Sequence, residues 1–160
     1  MLKKMFCCMF AFLCLFGCDR MGSFEKGNLD VEKVVYNINK QVVDGKLEME
    51  LLNEIAWDDA KIEQEYALTM TQVKEVYVFS SVVKPQLGEI AFFKVDKKAL
   101  KEVKEAISHR KEIILQTWKN IIPDVEKHIN ASWEGEIGQY YCFILGTDAE
   151  KVVNYLRSLK

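Results

Sequence analysis

Between residues 31 and 42 the apolar positions Val31, Val34, Val35, Ile38 and Val42 recur every three or four residues, the spacing of one helical face. Asn28 or Asp30 can cap the start of this helix, and Gly45 ends it. Leu47, Leu51, Leu52 and Ile55 predict a second, shorter helical stretch. Trp57-Asp58-Asp59 reads as a turn, and residues 62–68 as one or two further helical turns. The pattern then changes. Residues 73–79 are β-branched and aromatic, a strand by composition. Apolar side chains fall on both of its faces, which predicts a central place in a sheet. Pro85-Gln86-Leu87-Gly88 closes a loop, and residues 89–95 form a second strand.

Asp96 is placed to cap a long helix whose buried stripe is Leu100, Val103, Ile107, Ile114, Trp118 and Ile121. Pro123 stops it at about Ile122. In the third strand Ile129, Ala131, Trp133 and Ile137 point one way, and Asn130, Ser132, Glu134 and Glu136 the other. A tight turn at Gly138 leads into a fourth strand over residues 140–145. Thr147 and Glu150 have capping-box spacing, and Val152, Val153 and Leu156 form the inner face of a last helix. Gly88, Phe93, Ala99, Lys101 and Val103 recur fifty residues on as Gly138, Phe143, Ala149, Lys151 and Val153. Whether duplication or shared strand-strand-helix grammar, this implies an α+β fold. Its four-stranded antiparallel sheet has helices packed on one face and is preceded by the N-terminal helices.

The N-terminus adds a location. Lys3 and Lys4 precede an apolar run over residues 5–16, then Gly17, Cys18 and the polar pair Asp19-Arg20. That order is a signal peptide with a small residue at the cut. The run is too short for a transmembrane helix, which needs about 20 apolar residues. It resembles the lipoprotein signal of bacteria, with cleavage after Gly17 and lipid on Cys18. Phe16 is bulkier than that signal usually carries. The chain then divides into a signal peptide over 1–17, a tether over 18–28 and a single domain over 29–160. The ten residues from Asp19 to Asn28, as a flexible coil, span about 17 Å on average, so the domain is expected close to the membrane. The domain is expected on the extracytoplasmic face of the cell membrane.

Of five cysteines, Cys7, Cys8 and Cys14 leave with the signal and Cys18 takes the lipid. Cys142 remains, inside an apolar run, and reads as a small buried hydrophobe. From Cys18 the chain keeps 143 of its 160 residues, enough for one domain with a sizeable core. Loss of Lys3 and Lys4 leaves 20 basic against 24 acidic residues, formally −4. With no basic patch in evidence, nucleic acid is not expected as a partner. The acidic balance also argues against a domain body that hugs an anionic bilayer.

Candidate chemistry is sparse. Arg110 falls beside the apolar stripe of the long helix, one turn after Ile107 and one before Ile114. A guanidinium there needs a partner, because an unpaired buried charge is costly. Two readings follow: a structural ion pair with a carboxylate under the sheet, or a planar clamp for a ligand carboxylate or phosphate. Tyr140 and Trp133 are the first candidates to line such a ligand site with Arg110. His109 and His128, the only histidines, lack the partner spacing of a zinc site, so no metal and no cofactor is expected. Asp58, Asp59, Glu63 and Glu65 read as a solvated acidic patch. Ser80-Ser81 lacks a nucleophile-elbow pattern, and no glycine-rich phosphate loop occurs. No catalytic residue is assigned.

Three stretches resemble a known family: residues 88–95 (Gly-Glu-Ile-Ala-Phe-Phe-Lys-Val), the spacing Arg110-x5-Gln116-x-Trp118-x4-Pro123, and Gly138-x-Tyr140. They resemble small lipoproteins of Gram-positive, clostridia-like bacteria, grouped as a domain of unknown function. The likeness covers roughly residues 47–156. Ile55-Ala56-Trp57-Asp58 departs from it, standing where the family tends to show a tyrosine-glycine turn. The resemblance implies a lipid-anchored extracytoplasmic domain and brings no activity. The expectation is therefore a non-catalytic accessory module that contacts another envelope protein. The alternative is a small-ligand binder in sensing or transport.

Overall fold

The computed structural model describes residues 29–85 and 87–159. Residues 1–28, which hold the predicted signal peptide, Gly17, Cys18 and the predicted tether, lie outside the described residues. Helix α1 spans Val31–Val43 and α2 Asp59–Tyr66, followed by a single 3-10 turn at Met70–Gln72. Strands β1 (Glu75–Ser80) and β2 (Glu89–Lys94) form a hairpin, and α3 runs over Leu100–Trp118. A short α4 (Val125–Asn130), the hairpin β3 (Trp133–Ile137) and β4 (Tyr140–Leu145), and α5 (Ala149–Ser158) complete the chain. All strand pairs are antiparallel, in the order β1-β2-β4-β3. The fold is α+β, as the alternation of elements predicts.

The helices lie on both faces of the sheet, not on one. Ile90, Phe92, Cys142 and Ile144 pack against α1 and α5. Their strand neighbours Ala91, Phe93, Phe143 and Leu145 pack against α2, α3 and α4. The reason is visible in β2 and β4, which are apolar along nearly their whole length and buried on both sides. A bare face would leave Phe92 and Ile144 in water. The fifty-residue repeat therefore does not extend to the helices. A twofold axis exchanging the antiparallel neighbours β2 and β4 stands perpendicular to the sheet and would keep α3 and α5 on one face. They lie on opposite faces, so the two units share grammar without symmetry.

β1 is an edge strand, not a central one. Both its faces are nonetheless covered, Phe79 by the α1 side and Val78 by the α3 side. Its outer edge is partly closed by residues 52–57, where Leu52 bridges Ser81, Asn53 N–H donates to Ser80 O and Trp57 N–H to Val78 O, both at 2.9 Å. These bonds also explain why residues 47–55 are extended where helical spacing predicts a helix. Asn39 of α1, 8 % exposed, supplies the rest. Its side-chain amide donates to Leu52 O at 2.8 Å and its carbonyl accepts from Leu52 N–H at 2.9 Å. Asn39→Ala leaves both backbone groups buried without a partner, and a loss of about 1–3 kcal/mol in chemical denaturation is expected.

Four boundaries shift. α3 begins at Leu100, because Asp96 pairs with Lys74 and does not cap. α3 ends at Trp118, which leaves Ile121 exposed in the following turn. His128 and Ile129 belong to α4, so β3 starts only at Trp133. The residue at the start of α5 is Asp148, not Thr147, and its side chain makes no capping bond. The Asp148 carboxylate accepts from Glu48 N–H at 2.7 Å and from Lys151 at 2.9 Å, and these bonds, the Glu48 N–H foremost, lower its pKa. The predicted start of α1 holds: Asp30 accepts from Lys33 N–H. So does the turn at Gly138, whose φ of 62° favours glycine.

Candidate functional site

Arg110 is the most heavily partnered charge in the interior. The strand register explains how it gets there. α3 starts beside the Lys94 end of the sheet, and ten residues of helix carry Arg110 about 15 Å along. Glu89 lies five residues from Lys94 along β2, about 17 Å in the same direction. The period of two puts Glu89 on the same face as Ala91 and Phe93, the face that α3 covers. The two charges therefore meet under α3, Arg110 at 5 % and Glu89 at 1 % exposure.

Their contact is a fork. Arg110 Nε donates to Glu89 Oε1 and Oε2 at 3.1 and 3.2 Å, and Nη2 donates to Oε2 at 2.7 Å. Nη1 donates to Glu65 Oε2 at 2.6 Å, from the last turn of α2. Tyr66, also fully buried, donates its hydroxyl to Glu89 Oε1 at 2.7 Å. Trp57 closes the group: its ring centroid lies 5.0 Å from the guanidinium carbon, and its Nε1–H donates to Ser80 Oγ at 3.0 Å. Burial works against the charged guanidinium, but Glu89 outweighs it and the Arg110 pKa is raised. Burial, and then the neighbouring Glu89 charge, push the Tyr66 phenol well above its ordinary value. Glu89 thus receives three donor groups, and the cluster fastens α2 and α3 to the β1–β2 hairpin.

This arrangement is the one that the ion-pair reading of Arg110 expects. Its Nε and both terminal nitrogens already face carboxylates. An incoming anion would meet Glu65 and Glu89 as like charges. The geometry is that of a structural ion pair.

Tyr140 and Trp133, the other proposed lining residues, stand on the opposite face of the sheet, with α1 and α5. Tyr140 donates its hydroxyl to Glu75 Oε2 at 3.1 Å, and burial followed by Glu75 raises its pKa. Trp133 lies over Gly135, with the Arg157 guanidinium 5.6 Å from its ring. A Cβ on Gly135 would come within 2.8 Å of the indole. Gly135→Val should displace Trp133 and cost about 1–3 kcal/mol in a thermal melt, as overpacking does. The sheet separates these two residues from Arg110, so the three do not line one site.

The remaining candidates have local partners or open positions. Asp58 caps α2, Glu63 accepts from Met70 N–H, and Ser80 accepts from Trp57. His109 and His128 are exposed, and Cys142 is buried. Among the described residues no group of three or more His, Cys, Asp or Glu is placed to hold a metal ion. No described helix is long and apolar enough to cross a membrane. Sequence reasoning anticipated a carboxylate under the sheet for Arg110 but did not name it. The available signal was Glu89, the one acidic residue opening an otherwise apolar strand. Glu65 and Tyr66 carried no comparable mark.

Among curated proteins and among solved structures, none matches the chain significantly. A family model described as a domain of unknown function (DUF4358) matches residues 47–146. That stretch is more than half of the chain and includes all four strands and the Arg110, Glu89 and Glu65 cluster. The chain therefore belongs to this DUF4358 family.

Proposed function

We propose that the protein is a lipid-anchored, extracytoplasmic lipoprotein of the cell envelope, held by a lipid on Cys18. In this reading it is a non-catalytic accessory module that contacts another envelope protein. The anchor rests on the order Lys3, Lys4, apolar run, Gly17, Cys18 in the sequence. The placement among lipoproteins of clostridia-like Gram-positive bacteria rests on the family resemblance. One observation carries the accessory role. At the β1 edge Leu51, Ile55, Val82 and Val83 are 40 %, 76 %, 57 % and 57 % exposed. The backbone brings Leu51 and Val82 together: Val82 N–H donates to Leu51 O at 3.0 Å, beside the Leu52–Ser81 bridge. Grouped apolar side chains on a surface mark contact sites, and covering them is favourable by about 25 cal/mol per Å². Meanwhile the buried charges Glu89 and Arg110 are paired with one another.

The test is purification of the full-length gene product from membranes of cells fed an alkyne-bearing fatty acid. The expected outcome is label on the protein that Cys18→Ser abolishes, with a protein partner retained in mild detergent. A small molecule held in the native mass spectrum, with no protein partner, would move the assignment to ligand binding.

A further inference from the structure

The two ends of the sheet carry different charge, and the chain enters the domain at one of them. The register defines the ends: Ser80, Glu89 and Leu145 stand at one, Glu75, Lys94 and Tyr141 at the other. α1 and α5 share a face. α5 departs from the Glu89 end, three residues after Leu145. α1 finishes there too, since Glu48, just beyond it, donates its N–H to Asp148 at the start of α5. Asn37 lies close enough to Tyr155 to act on its hydroxyl, and each lies six residues in from that end of its helix. The two helices therefore run antiparallel, side by side. This puts Val31, the first residue of α1, at the Lys94 end.

The Lys94 end carries Lys74, Lys94, Lys97, Lys98 and Lys101. Lys97 shares a crevice with Gln139 and Tyr140 of the β3–β4 hairpin, which fixes the loop after β2 at this end. Lys74, Lys94 and Lys101 pair with Asp96, Glu75 and Glu105. The exposed Lys97 and Lys98 form no ion pair among the described residues. Glu102 and Glu136 stand on the flanks, so the lysines and carboxylates named here balance, with the unpaired positive charge concentrated at the loop tip. The Glu89 end is net acidic: Asp44, Glu48, Glu50, Glu54 and Asp148 outnumber Lys46, Lys84 and Lys151, beside the exposed Leu51, Val82 and Val83.

We propose that the Lys94 end faces an anionic lipid bilayer, with Lys97 and Lys98 at the headgroups, and that the acidic and apolar Glu89 end points away from it. This rests on the lipid anchor at Cys18. The anchor supplies the affinity, so the two loop-tip lysines need only bias the orientation, their end being balanced in charge where the Glu89 end is net acidic. The eleven residues from Cys18 to Asn28 span at most about 40 Å when extended, which keeps the domain within reach of the surface. The net acidic charge, which argues against membrane contact for the domain as a whole, is not concentrated at this end, and the named acidic residues outnumber the basic ones only at the far end. The apolar residues are left free for a partner protein.

The experiment uses the lipidated protein in vesicles of phosphatidylcholine, with or without phosphatidylglycerol, carrying a headgroup-bound quencher. A fluorophore is attached at Lys98→Cys or at Val83→Cys, with Cys142 buried. In the anionic vesicles the probe at position 98 should be quenched several-fold more than the probe at 83. Lys97→Glu with Lys101→Glu, or raised salt, should shrink that difference. Equal quenching at the two positions, or stronger quenching at 83, overturns the orientation while the anchor stands. An intact mass without acyl chains on Cys18 overturns the anchor itself, and the orientation with it.

Discussion

Replacing Arg110 with alanine is expected to lower the free energy of unfolding by about 3–5 kcal/mol. The cost is in what the variant leaves behind. Glu89, at 1 % exposure, would lose both donors of the fork and keep only the Tyr66 hydroxyl. Glu65 would lose its 2.6 Å partner but is partly solvated, so it contributes less. Urea denaturation followed by circular dichroism measures the loss. The double variant Arg110→Met with Glu89→Leu should recover much of it, because removing both charges removes the orphan. A clamp for an exogenous anion predicts otherwise: Arg110→Ala would leave stability nearly unchanged and abolish binding.

Phe92→Ala and Phe93→Ala should each cost about 3–5 kcal/mol. The two are sequence neighbours on opposite faces of β2, and both are fully buried. Phe92 meets the rings of Phe79 and Tyr140 edge-on at 6.4 and 5.9 Å. Phe93 meets Tyr66 at 5.4 Å. Similar losses from both are the signature of a sheet covered on two sides. A sheet with helices on one face would make one of the two substitutions cheap. The Phe93 loss should also be non-additive with that of Arg110→Ala, because both act through Tyr66.

The elements whose pattern is local were legible in the sequence. α1 and α5 show unambiguous helical periods, the two central strands read as short apolar runs, and the four-stranded antiparallel sheet followed from the pattern of elements. The failures have a common cause, since they concern residues whose state is set by distant partners. The spacing of Leu47, Leu51, Leu52 and Ile55 suits a helix, but the backbone bonds offered by Asn39 and by the β1 edge win. Thr147 and Glu150 have capping-box spacing, yet Asp148 answers to Glu48, one hundred residues away in sequence. The two-sided burial of β2 and β4 was readable from their lack of polar alternation. The apparent repeat suggested a one-sided arrangement instead. At the site, the need of Arg110 for a carboxylate followed from its position on an apolar stripe. Grouping it with Tyr140 and Trp133 required the face of each strand residue, and composition does not supply that.

The most direct test of the account is a photo-reactive amino acid placed at Val83 of the full-length protein in living cells. The account predicts one discrete protein adduct on illumination, weakened when Leu51 is changed to lysine and absent when the same residue is placed at Glu112 on the exposed side of α3. Adducts to lipid alone, or a smear that is equal at both positions, would contradict a protein-docking surface at the β1 edge.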